Sequence, residues 1–99
     1  MNNEIQMVLQ YEVNESSRQQ YNEAIHQILS KLPSFEAFQI QLNEAQNTVI
    51  ETFLLPTESH YYALKKLRKS KNHSIFGCLD PYIKGGLQQI GCYGIKKKR

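Results

Sequence analysis

Tryptophan is absent from this 99-residue chain, and there are only two cysteines, three prolines and five glycines. Cys78 and Cys92 cannot build a disulfide framework, and neither sits in a cluster at zinc-ligand spacing. They read as reduced, half-buried small side chains, with nothing nearby to support a redox pair or a nucleophile. No apolar run approaches the roughly 18 residues of a membrane span. The opening "MNNEIQMVLQ" carries neither a basic stretch nor an apolar stretch of the secretory kind, so a cytoplasmic protein is expected. The two Asn-x-Ser matches at Asn14 and Asn72 then mean little for glycosylation. With 40% hydrophobic and 21% charged residues the chain is not of the disordered class. Its length suits a single domain over residues 1–99.

Acids and bases are unevenly spread. Up to Glu58 there are eight acids against Arg18 and Lys31; from Ser59 onward Asp80 is the lone acid against ten bases. The formal net charge of +3 hides this polarity. It either steers an anionic ligand or is a solvated face that keeps the protein dispersed.

Hydrophobic periodicity gives the element order. In "IQMVLQYEV" Ile5, Met7, Leu9, Tyr11 and Val13 alternate with Gln6, Val8, Gln10 and Glu12, which is a strand with one greasy face. Ser17 and Gln20 stand at capping-box spacing, with Asn14 and Ser16 as competing caps. Tyr21, Ala24, Ile25, Ile28, Leu29 and Leu32 then recur at helical spacing over about five turns, and Pro33 stops them. "FEAFQIQLNEAQNTVIETFLL" is a hairpin turning at "NEAQN", with Phe38, Ile40 and Leu42 alternating with Gln39 and Gln41. The return strand is apolar at both parities and should be covered on both sides. Thr57 caps a second helix whose stripe is Tyr61, Leu64 and Leu67, with Lys65, Lys66, Arg68 and Lys69 outward and suited to the helix C-terminus. Ile75, Phe76, Leu79, Tyr82 and Ile83 suggest a short helix and turn, and Gly85-Gly86 breaks the chain. "LQQIGCYGI" is the fourth strand. Strand, helix, strand, strand, helix, strand is the ferredoxin-like α+β order: a four-stranded antiparallel sheet with both helices on one face.

Two helices cover one side of such a sheet. The other side offers Gln6, Val8, Gln10, Gln39, Gln41 and either Gln88 or Gln89. Glutamine is neutral and can be sequestered when its amide finds hydrogen bonds. A second copy packed on this mixed face is the simplest cover for so small a domain.

The element order, together with "ETFLLPTESHYYALKKLR" and "LDPYIKGGLQQIGCYGI", resembles the dimeric α/β barrel superfamily, in particular its small antibiotic-biosynthesis-monooxygenase-like proteins. The similarity is one of pattern over nearly the whole chain, without a diagnostic motif. It implies a homodimer whose two sheets enclose a cavity. Members include cofactor-independent oxygenases, haem-degrading enzymes and proteins of no known activity. The haem-degrading members share an Asn, Trp and His set, and this chain has no tryptophan, so that activity is not expected.

If the resemblance extends to catalysis, His60 is the candidate base or iron ligand, Glu51 a polar cavity group, and Tyr11 and Tyr93 cavity walls for a small aromatic ligand. Each has a plainer reading. His60 lies at a helix start, where a surface histidine is ordinary. Glu51 is either a cavity acid whose pKa burial would raise or an edge charge. Tyr11, Tyr62, Tyr82 and Tyr93 also suit core and interface positions. His26, His60 and His73 are too scattered to suggest a metal site, and no cofactor is specified. "KKLRKSK" and "KKKR" are basic enough to touch phosphates. Yet the third strand lacks the glycine and paired aromatics of RNA readers of this topology, so the tail reads as a last strand with a solvated end. Gly85-Gly86 is no phosphate loop, because no Lys-Ser/Thr follows it. The expectations are therefore a small-molecule-binding homodimer, oxygenase-like or non-catalytic, with nucleic-acid binding as the remote alternative and no membrane partner.

Overall fold

The computed structural model describes residues 4–97. Lys98 and Arg99 of the closing basic run lie outside the described residues. The elements are β1 (Glu4–Glu12), α1 (Arg18–Lys31), β2 (Phe38–Ala45), β3 (Thr48–Leu55), α2 (Glu58–Arg68) and β4 (Gly91–Lys97). Short 3-10 segments, Glu15–Ser17, Leu32–Phe35, Phe76–Tyr82 and Leu87–Gln89, fill the connections. The sheet order is β2-β3-β1-β4 with every neighbouring pair antiparallel. This is the ferredoxin-like α+β fold. Among the described residues no helix is long and apolar enough to cross a membrane.

β1 is central, and its alternation decides which side of the sheet is dry. Ile5, Met7, Leu9 and Tyr11 face the helices and are buried. β3 pairs with it residue for residue, Leu9 opposite Glu51 and Met7 opposite Phe53, so Val49, Glu51, Phe53 and Leu55 share that face. α1 closes over them with Tyr21, Ile25 and Ile28, which recur at helical spacing. It runs 14 residues, shorter than the expected five turns, because the chain tightens into a 3-10 turn at Leu32–Phe35 with Pro33 inside it. None of the three expected caps, Ser17, Asn14 or Ser16, forms at its start. Ser17 makes no capping bond, and Asn14 uses its side-chain amide to donate to the Pro81 carbonyl. At α2 the expected cap is present, with Thr57 Oγ1 accepting from the His60 amide at 3.3 Å.

Three expectations are corrected. In β2 the register slips between Phe38 and Gln41, where Gln39 takes a left-handed φ of 52°. This bulge breaks the simple alternation, so Phe38 and Gln41 point away from the helices while Ile40 and Leu42 pack on the core. β4 begins at Gly91, not Leu87. Residues 87–89 coil, so Gln88 and Gln89 are not on the open side of the sheet. Arg68 is not outward but wholly buried. It lies four residues after Leu64 and seven after Tyr61, on the apolar stripe itself.

The connection from α2 to β4 is pressed against the helix end. At Gly77 a Cβ would stand 2.3 Å from the Lys71 carbonyl oxygen, a backbone atom that cannot swing aside. Gly77→Ala should therefore lower the urea midpoint of unfolding, costing roughly 1–3 kcal/mol for an overpacked site. An unchanged midpoint would show that the 71–77 loop yields.

Candidate functional site

Beneath the helices lies a polar chain in an otherwise apolar core. Glu51 and Arg68 are both wholly buried. Arg68 Nη1 donates to Glu51 Oε1 at 2.8 Å and Nη2 to Oε2 at 2.7 Å, the planar fork meeting the planar carboxylate. Tyr11 Oη donates to Oε2 at 2.5 Å, and Tyr21 Oη lies 2.8 Å from Tyr11 Oη. With Tyr11 donating to the carboxylate, Tyr21 is left to donate to Tyr11. The guanidinium lies over the Phe76 ring at 5.5 Å, and His73 stacks on that same ring, the two centroids 5.0 Å apart. At the far end Arg18 sits over the Tyr21 ring and pairs with Glu44 of β2.

Burial drives the electrostatics here. Desolvation, then the Glu51 carboxylate, holds the Tyr11 hydroxyl far above the ordinary tyrosine range. Desolvation also lifts Tyr21 to about 12, against a lowering hydrogen bond with Tyr11. Burial pulls the Arg68 guanidinium downward, but the paired carboxylate overcomes this and the net direction is upward. The network is thus charge-neutral as a pair, with its phenols protonated. Two buried donors, Arg68 Nε and Arg18 Nη1, have no partner among the described residues.

The second candidate surface is the open side of the sheet. Strand register places Gln6, Val8 and Gln10 of β1 there beside Ile50, Thr52 and Leu54 of β3 and Tyr93 and Ile95 of β4. Phe38, Gln41 and Asn43 of β2 complete it. Among the described residues, charge occurs only at the ends of this face: Glu4 and Lys97 at one, Glu12 at the other. Tyr93 is 54% exposed and Ile95 43%. A recess of about 310 Å³ lies at the Glu4 end, lined by Gln6, Gln39, Gln41, Thr52 and Lys97. A larger one of about 510 Å³ lies at the other, among Gln10, Glu12, Thr48, Lys84 and Gly91.

The four residues singled out from sequence therefore fall in three places. Glu51 and Tyr11 are brought together, but under the helices and away from the open face. Tyr93 is opposite Val8 on the open face. His60 is half-buried at the start of α2, its Nδ1 2.7 Å from Thr57 Oγ1. It is about 12 Å along the helix from Arg68 at 1.5 Å per residue. His26 is exposed, and His73 Nδ1 accepts from the amides of Ile75 and Phe76 at 3.1 and 3.2 Å. Tyr62 is exposed and Tyr82 half-buried. Cys92 is half-buried and its thiol pushed up by burial, whereas Cys78 is exposed, contrary to expectation. No group of three or more metal-ligating side chains gathers among the described residues. Arg68 is the member that sequence reading missed. The signal was its i+4 spacing from Leu64, matched by an acid at a buried parity of β3.

Removing one partner of the ion pair strands the other without water. Glu51→Gln or Arg68→Met alone should cost about 3–5 kcal/mol in chemical denaturation, and the double variant Glu51→Leu/Arg68→Met should regain much of that loss. Because the folded state holds the Tyr11 and Tyr21 protons to higher pH than the unfolded chain does, unfolding releases protons in alkali. Stability should be at its full value below pH about 10, the ordinary tyrosine value. It should then fall through pH about 12, where Tyr21 titrates in the folded protein. Tyr11→Phe should flatten this decline, and an unaltered alkaline limb in that variant would contradict the assignment.

No family model matches the chain, and no curated protein is similar to it. Solved structures are. A conserved protein from Methanosarcina mazei Go1 superposes with a TM-score of 0.72 at 14% identity, covering 97% of this chain and 94% of its own. A NipSnap family protein of unknown function from Agrobacterium tumefaciens strain C58 superposes with a TM-score of 0.63 at 10% identity, covering 99% and 91%. At these identities the likeness is one of fold, and the fold shared is the ferredoxin-like α+β arrangement.

Proposed function

We propose that the protein is a homodimer whose two open sheet faces pack together and hold a small, uncharged, partly aromatic ligand between them. The observation that carries this reading is the charge pattern of the open face. Its centre is built of Val8, Ile50, Leu54 and Tyr93 interleaved with Gln6, Gln10, Gln41 and Thr52, and its charges stand at the two ends. An uncharged centre with a charged rim is how protein interfaces are composed, because desolvating an unpaired charge is costly while amides can pair with each other or with a ligand. Four strands about 4.8 Å apart and about seven residues long at about 3.3 Å give a flat footprint of about 440 Å², so two copies bury about 880 Å² before side-chain relief is counted, a small interface close to the lower mark of about 1,000 Å². The dimeric α/β barrel resemblance supports the same geometry.

In this reading Tyr93 is a wall of the cavity, and the recesses at the two ends are its mouths. Tyr11 and Glu51 act on the ligand only by fixing the strands beneath it. Binding is the function that the neutral lining favours. Monooxygenase-like chemistry is the narrower alternative drawn from the resemblance, and His60, with one ring nitrogen turned away from Thr57, is the residue it would use. We place the protein in the cytoplasm, where Cys78 and Cys92, unpaired in the structure, would stay reduced.

Sedimentation equilibrium should show a dimer for the wild type. Thr52→Arg, at the middle of the face and only half-exposed, should give a folded monomer with unchanged far-ultraviolet circular dichroism. Phenol, used as a neutral probe, should shift the amides of Gln6 and Thr52 in the wild-type dimer and do so at least about fivefold more weakly in Tyr93→Ala. A wild type that stays monomeric at micromolar concentration removes the basis of the reading. Oxygen uptake with phenolic substrates, abolished by His60→Ala, would decide for the oxygenase.

A further inference from the structure

The basic half of the chain is not absorbed by a neutral cavity. In the fold its described cations, Lys97 at the open face aside, divide into two groups. Arg68 pairs with Glu51, Lys96 with Glu58 at 3.4 Å and Lys84 with Glu12 at 4.0 Å, while Lys65 sits over the Tyr61 ring at 5.8 Å. Lys66, Lys69 and Lys71 have no carboxylate within ion-pair distance among the described residues. Lys69 and Lys71 also border a recess of about 470 Å³ between the end of α2 and the Gly85-Gly86 turn, with Asp80 and Gln88 on its other walls.

We propose that this recess binds a small phosphate-bearing anion. The commonest reason for lysines here would be to satisfy the last carbonyls of α2. That work is already shared: Gln88 Nε2 donates to the Lys69 carbonyl at 3.2 Å, which also ties the two walls of the recess together. The two lysines bordering the recess are then not needed at the helix end. Asp80 reduces the positive field but does not cancel it, since one carboxylate stands against two lysines and its Oδ1 accepts from the Leu87 amide at 3.0 Å. That bond pins the turn. Gly85 and Gly86 hold φ of 80° and 82°, so the turn brings backbone without side chains to the recess, and a Cβ on Gly86 would press on Asp80 Oδ1 at 3.0 Å. Lysine binds phosphate as a point charge, and two of them around a pinned polar pocket suit a compact, doubly charged oxyanion. The site does not depend on the sheet-to-sheet dimer, because its walls belong to the loop just after α2, the Phe76–Tyr82 segment and the turn before β4.

The test is a titration of the wild-type protein with inorganic phosphate and pyrophosphate, followed by the amide shifts of Lys71, Gly85, Gly86 and Gln88. Saturable shifts confined to these residues are expected at millimolar or lower concentration. The double variant Lys69→Gln/Lys71→Gln should weaken binding about tenfold or more. Lys66→Gln, in the last turn of α2 but off the recess, should leave it within about twofold. Absence of localised shifts overturns the proposal, as does an equal loss in Lys66→Gln. So would a response restricted to single-stranded RNA that collapses between about 50 and 200 mM salt, since that pattern belongs to a polyanion spread over the basic surface.

Discussion

A carboxylate and a guanidinium sealed inside a core of this size constrain everything around them. Neither Glu51 nor Arg68 has access to water, so each is tolerable only while the other is in place. β3 must stay in register with β1 to keep Glu51 beside Tyr11, and α2 must hold its rotation to keep Arg68 inward. α1 is drawn in by Tyr21, and the chain after α2 by Phe76 lying under the guanidinium. An all-apolar core of similar volume would tolerate a sliding helix. A bidentate ion pair does not, because a helix rotated by one residue would leave two unpaired charges in the dry interior.

Much of this was legible in the sequence. Period-two alternation in "IQMVLQYEV" gave β1 and its buried face, and Thr57 after Pro56 gave the start of α2. The α+β order followed from the sequence of periods. What escaped detection had physical causes. The bulge at Gln39 has no residue-type signature, since glutamine neither favours nor advertises a left-handed φ, so the facing of Phe38 was read on the wrong side. Apolar spacing puts the start of β4 too early because Leu87 and Ile90 are buried from a 3-10 turn and the residue after it rather than from a strand. Charge groups Arg68 with its lysine neighbours, although its spacing puts it with Leu64. Glu51 stands out as an acid inside a strand, but one chain alone cannot reveal which distant cation will neutralise it.

The site residues split along the same line. Local pattern identifies a side chain's face, not what lies across from it. Tyr11 and Tyr93 look alike in sequence, each an aromatic in a strand. The register sends one into a sealed hydrogen-bond chain and the other to the uncovered side. The sheet therefore separates two kinds of polar chemistry. The ionised, tightly paired Glu51 and Arg68 lie on the helix side, and neutral amides, hydroxyls and a phenol fill the centre of the other.

The kink at Gln39 has one more effect. The sheet has two outer strands, β2 and β4, and only β4 runs without a register break. A distorted rim offers a poor template for an incoming strand, while β4 carries lysines at its end. Ribbon-like stacking of molecules side by side requires two receptive borders on every unit. This chain presents one, so such growth would stop at a pair instead of extending into a fibre.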